Sequence, residues 1–309
     1  MSVQPDTAHA GVGEEERSGG VGAPAIPPAS GRRWRIAAFA RDRAAFVAAV
    51  FLLLVAALAL FAPLLSPYDP AVADNLLRYA PPGTAGHLLG TDAQGRDMLS
   101  RLLWGGRVSL VVGIMPVGLA SAMGLTLGLL AGTAGGWADQ VIMRLLDVLF
   151  AFPMVLLAIA IAGVLRPGIW TEVISITVVL IPYVGRLART ATLLVASMPF
   201  IEAARAAGVT RTALLLRYVT PGVLPPLLVY ASTLVGLMIV VGSGLSFLGL
   251  GVQPPASDWG AMVSEGRIVL RQAPHATVLP GLVIVAVSLA FSFLGDGLRD
   301  ALDPRSRQH

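Results

Sequence analysis

The sequence contains no lysine and no cysteine, and all 22 of its basic residues are arginine. Without cysteine, the chain can form no disulfide, no thiolate metal site and no cysteine nucleophile. Without lysine, it cannot build a P-loop, because that motif needs a lysine to reach the β- and γ-phosphates of ATP. ATP hydrolysis by that route is therefore excluded for this chain, whatever its partners do.

Charged residues are also scarce. They make up 13% of the 309 residues, against 55% hydrophobic residues and a mean hydropathy of +0.76, whereas a soluble domain typically carries about 25% charged residues. Long uncharged runs in series exceed what a soluble core would bury, so the composition predicts a protein embedded in a lipid bilayer. The arginines are dispersed among apolar segments, which argues against nucleic-acid binding despite the basic pI.

The N-terminal part of the chain predicts a tail, a first span and a polar segment. Residues 1–40 are rich in Gly, Ala, Pro, Ser and Glu and lack apolar periodicity, which predicts a disordered cytoplasmic tail. Ala44 to Leu65 then carries no charge, which is long enough to cross a core of about 30 Å. The run is longer than a signal-peptide core, so residues 41–66 are interpreted as an uncleaved first span. Residues 67–106, with their prolines and glycines, are predicted to be extracytoplasmic.

Residues 107–298 predict a core of five further spans, which makes the fold class an all-α, six-span transmembrane helix bundle. A short separate helix is predicted near Arg96 to Trp104, ahead of the second span. Glu172 and Arg186 lie near the ends of the fourth span, where their side chains are expected to reach the membrane interface. The five spans are predicted at Val108–Leu130, Met143–Leu165, Ile169–Ala188, Val223–Ser246 and Ala276–Gly295.

Two sequence patterns add orientation and packing to this outline. An inside N-terminus places about two thirds of the 22 arginines on the cytoplasmic side, as the positive-inside rule requires. Both termini, including a C-terminal tail at residues 299–309, are then cytoplasmic. In the second span, Gly124, Gly128 and Gly132 recur every four residues, a small-residue face that predicts close approach of another helix.

The segment between the fourth and fifth spans, residues 189–222, is too long for a simple connection. Phe200 to Ala207 is composed of helix-forming residues, and Gly208 interrupts it. Thr210 or Thr212 is a candidate N-cap for a second short helix, which Pro221 is predicted to end. Two short helices hinged at a glycine on the cytoplasmic surface indicate a docking surface for a partner.

This segment resembles the EAA motif of importer permeases of the ATP-binding-cassette class, written E-A-A, three residues, G, nine residues, I-x-L-P. Tyr218 and Thr220 stand where the pattern has Ile and Leu. In that family the loop forms coupling helices that fit a groove on the ATPase subunit. The resemblance therefore implies an ATPase-coupling role for Glu202, Ala203, Ala204, Arg205, Gly208 and Pro221.

Further segments resemble the C-subunit type of the dipeptide and oligopeptide permeases. The resemblance implies the type I importer permease fold in a bacterial inner membrane, with two ABC ATPase subunits, a B-type second permease and an extracytoplasmic binding protein as partners. The chain would then be no enzyme and bind no cofactor, since its partners would use ATP and Mg²⁺. Nickel and glutathione permeases share this architecture, so the substrate stays open beyond a preference for peptides. The matching segments are Gly90–Asp97, Leu146–Val148, Ala151–Pro153, Ser246–Pro255, Trp259–Gly260 and Leu294–Pro304.

A few charged residues admit more than one interpretation. Asp147 lies one turn after Arg144, and Asp296 one turn before Arg299. Each spacing suits an ion pair within a helix, and each acid is also a candidate functional group inside the membrane. The histidines lack a second ligand at helical spacing, so no metal site is predicted. The sequence assigns no substrate-binding residue.

Two other classes of protein were weighed against the permease. An ion-coupled secondary transporter would need acids near mid-bilayer or inverted repeats, and the sequence shows neither clearly. A membrane-embedded enzyme would need clustered His, Asp or Glu, or a serine with a nearby base, and the sequence contains no such cluster. Transport without ATPase partners would favour the secondary transporter, and co-purification of an ATPase would count against both classes.

Overall fold

The structure is a computed structural model that describes residues 42–302. The predicted N-terminal tail at 1–40 and most of the predicted C-terminal tail at 299–309 lie outside the described residues. Within the described range the regular secondary structure is helical, apart from isolated bridges such as that between Thr91 and Asp97. The predicted all-α class is thereby confirmed.

Eleven α-helices can be numbered in the described part of the chain. Five of them are long and apolar enough to cross a membrane, and the count rises to six if the bent pair α4 and α5 is taken as one span. The helices are α1 Arg43–Leu60, α2 Ala62–Leu65, α3 Met98–Ala134, α4 Gly136–Phe150, α5 Met154–Val164, α6 Ile169–Ala196, α7 Pro199–Ala206, α8 Arg211–Leu214, α9 Thr220–Phe247, α10 Trp259–Gly266 and α11 His275–Leu302.

Several helices begin at an N-cap residue whose side chain accepts a hydrogen bond from the first turn. The Asp42 carboxylate accepts from the N–H of Ala44 at 2.9 Å and so caps α1. Asp97 accepts from the N–H of Ser100 at 2.7 Å and caps α3. A carboxylate at this position satisfies an otherwise unpaired backbone donor and complements the positive end of the helix dipole.

Helix α3 is one continuous helix of 37 residues. The separate short helix predicted near Arg96 to Trp104 is therefore wrong, because the helix continues through Gly105 and Gly106 without a break. A bulky side chain takes the space these glycines leave: a Cβ on Gly105 would lie 3.0 Å from Trp259 Cδ1 and one on Gly106 3.1 Å from Trp259 Cζ2. The two glycines therefore make room for the indole ring of Trp259 on α10 and do not end the helix.

The third predicted span, Met143–Leu165, is not a straight helix. Helices α4 and α5 meet at an angle of 85° across the residues 151–153. Pro153 directly precedes α5, and its ring blocks continuation of the helix that ends at Phe150. The predicted third span is thus a bent pair of helices that begins at Gly136 and ends at Val164. Helices α6 and α11 also run beyond their predicted ends, to Ala196 and Leu302, so residues 299–302 are helical.

The glycine face predicted on α3 packs against α6. A Cβ added to Gly124 would lie 2.8 Å from Val184 Cβ, and one added to Gly128 only 2.5 Å from Ala188 Cβ. Gly132 repeats the pattern against Thr192. Because no side chain separates the two helices here, their backbones approach closely, as the spacing of the glycines predicts.

We call the end of the bundle with residues 189–222 the inner end and the end with residues 66–97 the outer end. The 37-residue helix α3 connects them: Met98 begins beside the outer segment, and Leu129 belongs to a hydrophobic cluster with Ile201 of α7 at the inner end. A larger core between the two ends is formed by buried side chains of α1, α3, α4, α5, α6, α9, α10 and α11.

Candidate functional site

Helix α7 lies at the inner end directly after α6, in the segment that the sequence singles out. Met198 precedes it and Pro199 is its first residue, a position where the missing N–H costs nothing. Ile201 is fully buried among side chains of α3, α6 and α9, with Val195 and Val223 in the same cluster. This apolar anchor fixes the orientation of α7 and so decides which side chains it exposes.

The exposed face of α7 carries the residues of the predicted motif. Glu202, Ala203 and Arg205 are exposed, while Ala204 is partly buried against the cluster around Ile201. Glu202 lies in the first turn and Arg205 in the last, so both charges complement the helix dipole. Phe200 adds an apolar side chain that is 48% exposed. The surface combines one acid, one base, small side chains and an aromatic ring.

Gly208 makes the turn that ends α7. Its φ is +79°, in the left-handed region that L side chains rarely adopt, and its N–H bonds to the Arg205 carbonyl at 3.1 Å. A Cβ at Gly208 would meet nothing within 4 Å. The requirement for glycine is therefore one of backbone conformation alone, as the sequence predicts.

The second short helix begins as predicted but does not end as predicted. The hydroxyl of Thr210 accepts from the N–H of Ala213 at 3.4 Å and caps α8. Pro221 was expected to terminate this helix. Instead, a π-helical turn at Leu215–Val219 joins α8 to α9, and Pro221 lies in the first turn of α9. Pro221 has no backbone N–H to donate, and the wider hydrogen-bond spacing of the π-helical turn before it lets the chain continue as a helix without that bond.

Thr220, one of the two departures from the family pattern, has a local role in this turn. Its hydroxyl donates to the Leu215 carbonyl at 2.9 Å and so helps satisfy the backbone of the π-helical turn. Gly222 follows on α9, and a Cβ there would lie 3.0 Å from Val195 Cγ2 of α6. The start of α9 is thereby packed against the helix that leads into α7.

A large cavity lies beside this segment at the inner end. It has a volume of about 970 Å³ and is lined mainly by α4 and α6. Two ion pairs join the helices across it: the Asp139 carboxylate receives Nε and Nη2 of Arg189 at 2.5 and 2.6 Å, and Asp147 receives Arg186 Nη2 at 2.6 Å. We call it the inner cavity; its lining residues are Trp137, Asp139, Gln140, Val141, Met143, Arg144, Leu145, Asp147, Val148, Arg186, Arg189 and Thr190.

These contacts correct the predicted ion pairs. Asp147 pairs with Arg186 on the neighbouring helix and not with Arg144 on its own helix. The reason is packing: Gly185 leaves room for Leu146, whose Cδ1 would lie 2.9 Å from a Cβ there, and this contact brings the next residue, Asp147, against α6. Nor does any ion pair within 4 Å join Asp296 and Arg299 among residues 42–302.

The outer end contains a buried network of charged side chains, and the sequence did not predict that these residues contact one another. The Asp92 carboxylate accepts from Arg96 Nε at 2.6 Å and from Arg101 Nη1 at 2.5 Å. Glu265 of α10 accepts from Arg96 Nη2 at 2.5 Å and from Arg101 Nη1 at 2.8 Å. Asp92, Arg96 and Arg101 are each at most 3% exposed. We call residues 66–97 together with α10 the outer cap.

The environment of Asp92 shows how the outer cap tolerates buried charge. Burial by itself raises the pKa of this carboxyl, but Arg101, Arg96 and two backbone N–H groups outweigh burial and hold the pKa below its ordinary value. The carboxylate is therefore charged at neutral pH. Glu265, far away in the sequence, gives the two guanidinium groups a second acceptor.

Glu172 is placed differently from its prediction. It was expected to reach the membrane interface, but the structure buries it fully at the outer end of α6. Its Oε1 accepts from the Ser246 hydroxyl at 2.6 Å. Gly251 approaches both side chains, because a Cβ there would fall 2.4 Å from Glu172 Oε1 and 2.1 Å from Ser246 Oγ. The loop that follows α9 thus covers the carboxyl from the outer side.

No group of three or more His, Asp or Glu side chains in residues 42–302 is arranged to hold a metal ion. The described part of the chain contains three features to explain: an exposed two-helix segment at the inner end, a charged inner cavity beside it, and an outer cap with a buried charge network. An apolar helix bundle with this layout agrees with the membrane permease that the sequence motifs indicate.

Comparison with known proteins gives the family. Residues 124–308, more than half of the chain, match the family described as the inner membrane component of binding-protein-dependent transport systems, and residues 32–82 match the N-terminal transmembrane domain of oligopeptide transport permease C. The chain belongs to this family of importer permeases. It is a multi-pass inner membrane protein and a non-catalytic subunit of an ABC importer, which works with an ATPase and a substrate-binding protein.

Named relatives cover most of the chain. It is 45% identical over 276 residues to the glutathione transport system permease protein GsiD of Pectobacterium atrosepticum. The aligned residues cover 88% of this chain and 90% of that protein. The GsiD protein of an Escherichia coli strain is 44% identical over 275 residues, covering 88% of this chain and 89% of its own length.

Solved structures support the fold at a greater distance. A chain from an inward-facing crystal form of the MetNI methionine ABC transporter has a TM-score of 0.52 with this chain at 17% sequence identity. The match covers 65% of this chain and 97% of that one. At this identity the likeness concerns the helix arrangement alone.

Proposed function

We propose that the chain forms one half of the membrane pathway of a short-peptide importer, and that its substrate is the tripeptide glutathione. The observation that carries the proposal is the 45% identity to a relative named as a glutathione permease, over 90% of that relative's length. Glutathione is itself a short peptide, so the proposal keeps the peptide class that the sequence motifs indicate. The other half of the pathway is a second, B-type permease.

The coupling mechanism follows from the geometry of the inner end. Two ATPase subunits bind the complex, one of them on the exposed face of α7. Because Ile201 ties α7 to the cluster that includes Leu129 of α3 and Val223 of α9, a displacement of α7 is passed to those helices. ATP-driven closure of the ATPases then moves the spans between outward and inward states, which is alternating access driven from the coupling surface.

Substrate identity is tested by uptake into proteoliposomes. The complete importer, reconstituted with its ATPases, second permease and binding protein, should accumulate labelled glutathione only when ATP is enclosed. Unlabelled glutathione should compete, whereas an unrelated dipeptide or Ni²⁺ in the same molar excess should not. ATP-dependent uptake of Ni²⁺ or of dipeptides without uptake of glutathione would reject glutathione in favour of the other substrates that this family carries.

Reversal of one charge tests the coupling surface. In Glu202→Arg, the exposed acid of α7 becomes a base, and we expect co-purification of the ATPases to fall at least about tenfold, since reversing a contact charge typically costs a few kcal/mol. The measurement is quantitative affinity purification in mild detergent. Asp300→Arg is the matched control, because Asp300 is also an exposed acid at the end of a helix but lies on α11. Equal ATPase recovery from both variants would remove α7 from the interface.

A further inference from the structure

The inner cavity contains one arginine that takes part in neither of the two ion pairs that line the cavity. Five ionisable side chains line it: three arginines and two aspartates. Asp139 is paired with Arg189 and Asp147 with Arg186. Within residues 42–302, Arg144 makes neither an ion pair nor a side-chain hydrogen bond, although it lines the same cavity. The cavity therefore has a net positive charge and one guanidinium with free donors.

The position and size of the cavity suit a passing substrate. It lies at the inner end, where it is lined by α4 from Trp137 to Val148 and by Arg186, Arg189 and Thr190 of α6, and an imported molecule would leave the membrane on this side. Its volume of about 970 Å³ is at the upper end of the range of about 300–1,000 Å³ for small-molecule sites. Its lining alternates charged groups with apolar side chains such as Met143 and Val148, which matches a peptide with polar ends and aliphatic parts.

Lipid does not explain this set of charges. Ionisable residues on spanning helices face a water-filled cavity or another protein chain rather than hydrocarbon. The acids here are held by arginines of the neighbouring helix, and the Arg186 guanidinium lies 3.8 Å from the ring centroid of Phe150, which fixes it in place. The two ion pairs join α4 to α6 along one side of the cavity, and the exposed Arg144 side chain lines the cavity beside them.

We propose that Arg144 is a substrate contact at the cytoplasmic exit of the pathway, where its guanidinium binds a carboxylate of the departing peptide. This inference rests on the proposed function and names a residue for the same substrate. A guanidinium matches a carboxylate with two parallel hydrogen bonds, which an ammonium cannot reproduce. Glutathione carries two carboxylates and one ammonium, so its net negative charge complements the net positive charge of the cavity.

The first experiment compares two ligands on three proteins. The complete importer is prepared with wild-type permease, with Arg144→Gln and with Arg144→Lys, and the ratio of peptide transported to ATP hydrolysed is measured for glutathione and for its analogue with both carboxyl groups amidated. The ratio for glutathione should fall about tenfold in Arg144→Gln, because the glutamine amide cannot replace a charge-assisted hydrogen bond to the carboxylate, and it should fall less in Arg144→Lys. The ratio for the analogue should not change with the variant.

A control and three opposing results make the test decisive. Arg299→Gln removes an exposed arginine at the end of α11, outside the cavity, and should leave both ratios unchanged. An equal loss for glutathione and its analogue in Arg144→Gln would reduce Arg144 to a structural residue. Loss of the second permease on purification would show that Arg144 pairs with that subunit. A loss that appears only in vesicles with anionic lipid would assign Arg144 to a phosphate headgroup.

A second readout does not depend on transport. Trp137 lines the cavity and is 78% exposed, so the difference in emission between the wild-type complex and its Trp137→Phe variant reports on the cavity. Millimolar glutathione should change this difference spectrum, and Arg144→Gln should abolish the change. If glutathione uptake fails while this spectral change is present, the proposed substrate is wrong and the carboxylate site stands. If uptake succeeds and the spectrum does not change, the site is wrong and the substrate stands.

Discussion

Replacing Asp92 with asparagine should destabilise the folded permease by roughly 3–5 kcal/mol, because removing one partner of a buried ion pair leaves the other charge uncompensated. Arg96 and Arg101 are 2% and 1% exposed and depend on Asp92 for two charge-assisted hydrogen bonds. Glu265 remains as an acceptor for both, but Nε and Nη2 of Arg101 already lack a partner. The measurement is thermal unfolding of the purified permease in detergent.

A nearby acid supplies the control. Asp69 is exposed in the same outer segment and accepts from the N–H of Ala71 at 2.8 Å, which the amide oxygen of asparagine can also do. Asp69→Asn should therefore change the unfolding temperature little. A loss of similar size in both variants would show that the segment is sensitive to any substitution and that the buried network has no special weight.

The lowered pKa of Asp92 adds a pH dependence. A carboxyl whose pKa is lower in the folded state stabilises that state above its unfolded pKa of about 3.9. This contribution is lost as the pH falls through the lower folded value. Between pH 5 and 8 the wild type should therefore show no change from this group, and below about pH 4 it should lose stability. Asp92→Asn should lose the part of the acid dependence that Asp92 supplies.

The Gly128→Ala substitution should be the second strongly destabilising change. The new Cβ would lie 2.5 Å from Ala188 Cβ and 2.6 Å from the backbone N of Arg189, so α3 and α6 must separate rather than merely rearrange a side chain. Overpacking of a closely fitted site typically costs about 1–3 kcal/mol, and a backbone shift places this site at or above the upper value. The measurement is again thermal unfolding, together with the yield of folded protein in the membrane.

A second glycine of the same helix supplies a control substitution that should not destabilise the protein. Gly118 also lies in α3, but a Cβ there would meet nothing within 4 Å. Because alanine favours a helix over glycine by up to about 1 kcal/mol, Gly118→Ala should be neutral or slightly stabilising. Equal destabilisation by both substitutions would mean that α3 needs glycine for flexibility, and the close packing against α6 would not be the reason for Gly128.

The contrast between predicted and observed features has a physical basis. The positions of the spans and the glycine face on α3 could be predicted, because both depend on the local pattern of one segment. The turn at Gly208 and the cap at Thr210 could be predicted for the same reason, since each uses the conformational preference of a single residue. The resemblance to importer permeases also came from short contiguous motifs.

Features made by residues from distant segments could not be predicted. Asp147 has Arg144 one turn away in sequence, yet α6 presents Arg186 closer. Glu265 completes the network of Asp92 from a different helix, and nothing in its own neighbourhood signals this. The 85° bend between α4 and α5 lies at Pro153, but hydropathy alone gives neither the size nor the direction of a bend. The inner cavity, which α4 and α6 line together, was not predicted either.

The length of α3 has a mechanical consequence. Its 37 residues extend for about 55 Å, well beyond a hydrocarbon core of about 30 Å. Arg101 near its first turn is paired with Asp92 of the outer cap, and Leu129 towards its end shares a hydrophobic cluster with Ile201 of α7. A single helix is thus held by side-chain contacts at both ends of the bundle. Under the proposed function, a binding protein docked on the outer cap and an ATPase docked on α7 would act on opposite ends of the same helix, so the arrival of substrate outside and the hydrolysis of ATP inside would be coupled directly through α3.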